Sequence, residues 1–294
     1  MPDRYQRTIC SEVSLDGIGL HTGINSTLNI KPAKENSGII FKRIDLKNNP
    51  TIPANVNHVV ATNRGTLLER NGVRVYTVEH ILAALRGLGI DNATIELSGP
   101  EPPIADGSAL PFVRAIKKSG IINQDIIQDV YKVTEPIQFN GSKNGIEINI
   151  LPADLLKITF FMDYELPNFG LQYISIENIE SEFVKEIAPA RTFGLLSEVI
   201  QLKQNGLIKG GGLENAIIIV DKKVDKKERN ILSKLFGLNA EIVFKNNEIL
   251  NNKALRFENE PVRHKVLDLV GDLALLGKPI VGHIIATKSG HSEN

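Results

Sequence analysis

The chain has 294 residues, 42% of them hydrophobic and 23% charged, which is enough apolar material to bury the cores of two domains and too much for a disordered chain. Its 34 lysines and arginines balance 34 aspartates and glutamates, so the bulk charge that drives nucleic-acid or membrane-surface binding is absent and no nucleic-acid partner is expected. A single cysteine, Cys10, excludes an internal disulfide and fits a reducing compartment. Residues 1–8 lack the apolar stretch of a secretory leader, and no apolar run approaches the roughly 18–20 residues of a membrane helix. A cytoplasmic protein without a transmembrane segment is therefore expected.

Residues 11–15 and 18–20 flank Asp16-Gly17, the pattern of a β-hairpin. Residues 27–30 and 38–41 are further strand candidates. Residues 74–78 lead into an apolar helix over 78–88, with Thr77 as its cap and Gly87 and Gly89 at its end. A strand over 92–97 and a helix over 110–119, closed by Gly120, complete the first half. A second round begins near Val130, with strands over 133–139, 145–150 and 157–162 and a short helix over 179–186. It continues with a buried strand over 216–220 and an amphipathic stretch over 228–236. Pro261 opens a helix running to about Leu276, a place where proline is tolerated because the missing N–H would have no helical partner. Residues 279–286 are a strand.

Asn29-Ile30-Lys31-Pro32-Ala33 resembles Asn149-Ile150-Leu151-Pro152-Ala153, and each half later carries a histidine near the start of a helix, His80 and His264. The echo predicts an α+β fold of two similar domains, each laying helices on a β-sheet, with the boundary at residues 126/127.

His264 and Asp268 lie four apart on a predicted helix and project from one face, with Asp272 four residues further. Imidazole nitrogen and carboxylate oxygen are both zinc ligands, but the same spacing describes a solvated polar stripe with a salt bridge. Glu79 and His80 open a helix whose next residues are apolar. A core histidine and an acidic first turn favoured by the helix dipole describe that pair equally. Taken together, His80, His264 and Asp268 make three ligands with a fourth position open, the arrangement of a catalytic rather than a structural zinc. Glu79, next to a ligand, is then placed to take a proton from metal-bound water. His291, within Lys288-Ser289-Gly290-His291-Ser292, reads as a surface histidine unless its turn folds back over the metal. Asp106-Gly107-Ser108 reads as a structural turn before a helix. The Gly210-Gly211-Gly212 loop lacks the lysine and the spacing of a phosphate-binding loop.

Seven stretches resemble, in order, the UDP-3-O-acyl-N-acetylglucosamine deacetylase family, a zinc-dependent family of lipid A biosynthesis. They are Gly17-Ile18-Gly19-Leu20-His21-Thr22-Gly23, Thr77-Val78-Glu79-His80, Gly87-Leu88-Gly89-Ile90-Asp91-Asn92, Pro103-Ile104-Ala105-Asp106-Gly107-Ser108, Ala190-Arg191-Thr192-Phe193-Gly194, the run from Arg263 to Asp272, and Lys288-Ser289-Gly290-His291. The resemblance implies zinc, with ferrous iron as the other candidate cofactor, on His80, His264 and Asp268. It implies Glu79 as general base, His291 as acid supported by Asp272, and Thr192 at the reacting carbonyl oxygen. Phe193, Lys265 and Lys288 match substrate contacts, Lys288 toward a phosphate. It implies two α+β domains, 1–126 and 127–294. An insert is expected within about 43–76 and another within about 195–221. The second forms an apolar passage for the acyl chain, in which Leu207, Ile208 and the loop starting at Gly210 would lie. The implied reaction removes the N-acetyl group of an acylated UDP-sugar, releasing acetate. Members of that family usually continue past the last histidine motif, and some carry a fused hydroxyacyl-carrier-protein dehydratase domain, which is the expected partner in a longer chain. Without the resemblance, the residues reach only as far as a metal hydrolase. Another zinc amidase or esterase, or a binding module using the polar stripe as an interface, remains open on the residues alone.

Overall fold

The computed structural model describes residues 4–141, 145–164, 170–236, 249–250 and 254–294, and within them two sheets repeat one topology. The first runs Val13–Ile18, Asn25–Pro32, Ala93–Leu97, Ile39–Arg43, Thr51–Pro53. Its central strand, Ala93–Leu97, pairs antiparallel with Asn25–Pro32 and parallel with Ile39–Arg43. The second runs Ile137–Asn140, Glu147–Leu151, Ile280–Thr287, Leu156–Asp163, Leu171–Ile176. Its central strand, Ile280–Thr287, pairs antiparallel with Glu147–Leu151 and parallel with Leu156–Asp163, and Tyr131–Lys132 joins it as a short extra strand. The two members of the sequence echo, 29–33 and 149–153, thus begin on the second strand of their respective sheets. The expected boundary at 126/127 falls at the end of strand Ile121–Ile127, which pairs with Tyr5–Ile9 near the start of the chain.

Among the described residues there are six α-helices: α1 (Glu79–Gly87), α2 (Leu110–Ser119), α3 (Ile179–Glu182) and α6 (Glu260–Leu273) pack on these sheets, and α4 (Leu196–Gln204) and α5 (Lys226–Phe236) lie apart from them. Strand residues such as Ile30 and Ile95 from the first sheet, and Ile158 and Ile284 from the second, share one continuous core with Ile81 and Leu85 of α1 and Val266 and Leu269 of α6. Burying that surface favours the arrangement by about 25 cal/mol per Å² of apolar area. The α1–α6 contact is backbone-close. A Cβ on Gly271 of α6 would stand 2.2 Å from the carbonyl oxygen of Glu79, so only glycine allows the two helices this approach.

Each half carries an insert. The first, Val59–Ala61, Leu67–Arg70 and Val73–Val75, is a three-stranded antiparallel sheet within the expected 43–76. The second begins with α4 and pairs Ile217–Ile219 with Phe193–Leu195. It runs past the expected limit of 221, because Leu232 and Leu250 join Leu196, Val199, Ile208 and Ile218 in a separate small core.

The structure departs from the predicted elements at several points. Asp16-Gly17 is not a hairpin turn but the middle of strand Val13–Ile18, and the chain reverses over 19–24, closed by Gly19 N–H donating to Ile24 at 2.9 Å. Gly17 is there because Pro103 packs on it, with a would-be Cβ only 3.1 Å from the proline's Cβ, the close backbone approach that a glycine in a strand often marks. Thr77 does not cap α1. The cap position is Val78, without a side-chain bond, and the Thr77 hydroxyl donates to Glu101 instead. Helix α2 has the predicted bounds. The predicted strand 133–139 resolves into Tyr131–Lys132 and Ile137–Asn140.

Candidate active site

The site lies where the start of α1 meets one face of α6. Glu79 and His80 are α1's first two residues, 2% and 4% exposed. Ahead of them, the fully buried Glu101 gathers the chain: its carboxylate accepts from the N–H of His21 and Thr22 and from the hydroxyls of Thr22 and Thr77, at 2.7–3.2 Å. On α6, His264, Asp268 and Asp272 stand one turn apart, and all three are buried. A second buried pair, Arg191 with Glu260 at 2.8 Å, pins the segment before Phe193–Leu195 to the first turn of α6. Glu260 also accepts from the backbone N–H of Arg191 and Arg256.

His80, His264 and Asp268 each present a ligand atom, all within 4.8 Å of one another. The imidazoles meet edge to face at 5.0 Å between centroids, and the Nε2 atoms lie 3.9 Å (His80) and 3.3 Å (His264) from Asp268 Oδ1. His264 Nδ1 is 3.0 Å from the Ala190 carbonyl. Since a carbonyl only accepts, the proton is on Nδ1 and the Nε2 lone pair faces the cluster. Burial, reinforced by neighbouring His264, pushes His80 down to about 3. Burial also lowers His264, against the pull of Asp268. Both rings are thus neutral, the form that ligates a metal. Burial works to raise Asp268, but His264, His291 and Lys265 outweigh it and hold the carboxyl well below the usual range. Two neutral imidazoles and an ionised carboxylate, all buried and convergent, fit a divalent cation by their donor chemistry.

Around the cluster stand two titratable groups of opposite character. Burial pushes Glu79 up to about 7; nearby His291 opposes that rise, and Asp272 and Asp268 add to it. His291 moves the other way. Burial alone would lower it, but Asp268 and Asp272 raise it to about 10, so the ring is imidazolium at neutral pH. Its Nδ1 donates to Asp272 Oδ2 at 2.8 Å. The turn that carries it does fold back over the cluster. Asn294 Nδ2 donates to the same Asp272 oxygen at 2.9 Å, and Ser289 Oγ donates to Asn294 Oδ1 at 2.9 Å. The other Asp272 oxygen accepts from the Thr66 hydroxyl at 2.6 Å, and Glu79 Oε2 accepts from the Thr66 N–H at 3.0 Å.

Thr192, Phe193, Lys265, His264, Asp268 and His291 line one polar cleft. An apolar pocket adjoins it, walled by Leu20, Val199, Leu202, Ile208, Ile218 and Phe236, and the two share Arg64, Thr192, Phe193 and Gly194. Phe193 stacks edge to face on His264 and Tyr164. Not every expected residue is at the walls. Leu207 is 49% exposed and stands outside both linings, while its neighbour Ile208 faces in. Gly210 serves through its backbone, donating its N–H to Leu20 at 3.1 Å. Lys288 reaches Asp163 at 3.4 Å and lines neither cavity. Sequence reasoning passed over Arg64, Thr66, Glu101 and Glu260. Their partners are distant in the chain, so no local spacing marks them. Arg191 stood inside a quoted motif, but nothing there named Glu260.

The family model for UDP-3-O-acyl N-acetylglycosamine deacetylase (LpxC) matches residues 6–233 and 229–294. Among relatives, a bifunctional enzyme LpxC/FabZ of Chlorobaculum tepidum is 47% identical over 291 residues, which cover 99% of this chain and 62% of that protein. The bifunctional enzyme LpxC/FabZ of Bacteroides thetaiotaomicron is 41% identical over 98% of this chain, again 62% of its own length. A UDP-3-O-acyl-N-acetylglucosamine deacetylase of Chlamydia pneumoniae is 40% identical over the whole chain and 95% of its own length. The chain therefore spans 62% of the bifunctional relatives and nearly all of the last.

Proposed function

This chain belongs to the UDP-3-O-acyl N-acetylglycosamine deacetylase family, and from that premise we propose that it hydrolyses the N-acetyl amide of a UDP-3-O-acyl-N-acetylglucosamine in lipid A biosynthesis, releasing acetate and the free amine. The observation that carries the reading is the buried trio His80, His264 and Asp268 with Glu79 and the His291–Asp272 pair beside it.

Zinc is the cation this nitrogen-rich set suits, with ferrous iron as the alternative, and once bound it supplies Lewis acidity toward the carbonyl and lowers the pKa of a water. Glu79 takes the proton of the attacking water. A carboxyl balanced near neutrality can both accept that proton and give it up. The Thr192 hydroxyl, on the cleft wall, donates to the oxyanion that develops on the acetyl carbonyl. His291 carries a proton at neutral pH and delivers it to the leaving nitrogen, which is a poor leaving group as an anion. Asp272 keeps the His291 ring oriented by receiving its Nδ1–H.

Phe193 and Lys265 contact the sugar nucleotide from the cleft wall, and Lys288, outside that lining and against Asp163, would meet only a phosphate that extends beyond the cleft. The acyl chain lies in the adjoining apolar cavity, along Ile208 and the glycine loop after it. The two α+β units of this enzyme are 1–126 and 127–294, acting in the cytoplasm. No helix among the described residues is long and apolar enough to cross a membrane. The bifunctional relatives support a fused dehydratase domain as the partner of this unit.

The test is acetate release from UDP-3-O-acyl-N-acetylglucosamine before and after chelation, with zinc added back. Loss and recovery are expected. A protein that binds zinc and releases no acetate from this substrate overturns the reading.

A further inference from the structure

We propose that Thr66 is a positioning residue that couples the base to the acid, its backbone N–H holding Glu79 while its hydroxyl holds Asp272 and, through it, His291. The inference rests on the deacetylase reading above, which gives Glu79 and His291 their roles, and adds a residue from the first insert that the seven family motifs do not contain.

Thr66 is 1% exposed and uses three of its polar groups on the site. Its N–H donates to Glu79 Oε2 at 3.0 Å, and its hydroxyl donates to Asp272 Oδ1 at 2.6 Å. Its carbonyl accepts from the N–H of Val78, the cap residue of α1, at 3.4 Å. Among the described residues, Asp272 Oδ1 takes its hydrogen bond from Thr66 alone, whereas Oδ2 serves both His291 and Asn294. Two hydrogen bonds on one oxygen leave a carboxylate free to rock about its last torsion. A donor on the other oxygen stops that rocking and fixes where the imidazole points. On the opposite side, engaging Glu79 Oε2 leaves Oε1 as the oxygen free to take a proton.

The loop reaches this place because of Gly65. Its φ is +155°, and a Cβ there would stand 3.0 Å from Glu79 Oε1. A residue with a side chain would press on the base and lift Thr66 away. Thr66 thus stands as a spacer between two carboxylates, Glu79 and Asp272, that would otherwise repel each other across a dry site.

The test compares wild type, Thr66→Ser and Thr66→Val, each metal-replete, in steady-state acetate release. Valine keeps the shape and the backbone N–H and removes only the hydroxyl. We expect Thr66→Val to lower kcat about 10- to 100-fold, as loss of an orienting partner does, with KM changed less than about twofold. Zinc content and Tm should stay near those of wild type, and serine should restore kcat to within about threefold, since it keeps the donor. In a double-mutant cycle, adding Thr66→Val to Asp272→Ala should lower kcat little further, because the contact is already gone. Should the valine variant fold poorly, Thr66→Cys, of similar size with a weak S–H donor, should fall between serine and valine. An active wild type with an unimpaired valine variant overturns this inference alone. So do a serine variant as weak as valine, penalties that add in the cycle, or an effect confined to KM. A zinc-loaded wild type that releases no acetate overturns the deacetylase reading, and this inference with it.

Discussion

Of the two helices that meet at the site, α1 reaches it only at its tip, with its first turn, whereas α6 runs along it for much of its length. The sheets beneath share one five-strand order, so the scaffold does not explain the difference. Burial does. From Glu79 to Leu85 every residue of α1 is buried, and after His80 the run is apolar, so polar groups fit only in its first turn. Helix α6 keeps a polar stripe, His264, Asp268 and Asp272, turned toward that tip, and surrounds it with Val262, Val266, Leu269 and Val270. One half contributes by where its helix begins, the other by how its residues are spaced.

The sharpest way to break this comparison is to silence the tip while leaving the stripe intact. Glu79→Gln keeps size and the Thr66 contact but removes the proposed base, and kcat should fall about 10²- to 10⁴-fold with zinc content unchanged by elemental analysis. Turnover near wild type would strip the first half of its chemical role.

Next in size is the support of the stripe. Glu260→Ala leaves Arg191 buried without its carboxylate, which should lower stability by about 3–5 kcal/mol in denaturant titration. The same pair sets a pH dependence. Burial acts to raise Glu260, but Arg191 and two backbone N–H groups outweigh it and hold its carboxyl below the ordinary value of 4.5. A depressed folded value means that this contribution is complete above about pH 4.5 and fades as pH falls through the folded value. The Glu260→Ala variant should therefore lose less stability than wild type between neutral and acid pH.

A smaller effect sharpens the contact between the two helices. Gly271→Ala forces a methyl into the Glu79 carbonyl, and separating α1 from α6 should lower stability by about 1–3 kcal/mol. Because the separation moves Glu79 and His80 away from the stripe, zinc affinity should fall in a competition titration, which a purely structural defect elsewhere would not produce. The smallest effect concerns the inserts. Arg64 on the first and Glu198 on the second meet at 2.7 Å, both partly exposed, so Arg64→Ala should change stability by less than about 1 kcal/mol. A substrate whose acyl chain threads between the inserts should register the same change mainly in KM.

The contrast between the helices also decides what the sequence reveals. The i, i+4 spacing of His264, Asp268 and Asp272 is a local fact, readable before any fold is known. The stop at Gly120 and the proline near the start of α6 are local too, and their helices stand close to where they were expected. Glu79 and His80 carry no spacing of their own and became legible only when combined with His264 and Asp268, a reading that the resemblance then sharpened. Where the outcome turned on tertiary contact, local reading failed. Gly17 looked like a turn because nothing in the sequence announces Pro103 above it, and Thr77 looked like a cap because Glu101, its actual partner, lies 24 residues away. Leu207 and Ile208 are equally apolar, and only the fold decides which of two neighbours faces the cavity. Strands Tyr5–Ile9, Ile121–Ile127 and Leu171–Ile176 escaped notice. Ile121–Ile127 is mostly exposed and lacks the alternation of a half-buried strand, and Leu171–Ile176 alternates in burial while its exposed positions include the apolar Leu171 and Tyr173, which hides the pattern in the sequence.

The approach of Gly271 to Glu79 has a thermodynamic side. One member of the trio that could hold a cation, His80, belongs to the first half and two, His264 and Asp268, to the second, so neither half alone owns the complete set. A cation held there would join the halves as well as serve the proposed reaction. By mass action it would stabilise only the docked pair, by RT ln(1 + [L]/Kd), and its apparent affinity would gauge how firmly the halves are joined. A substitution anywhere along their interface, however remote from the chemistry, should therefore be readable as a change in metal retention.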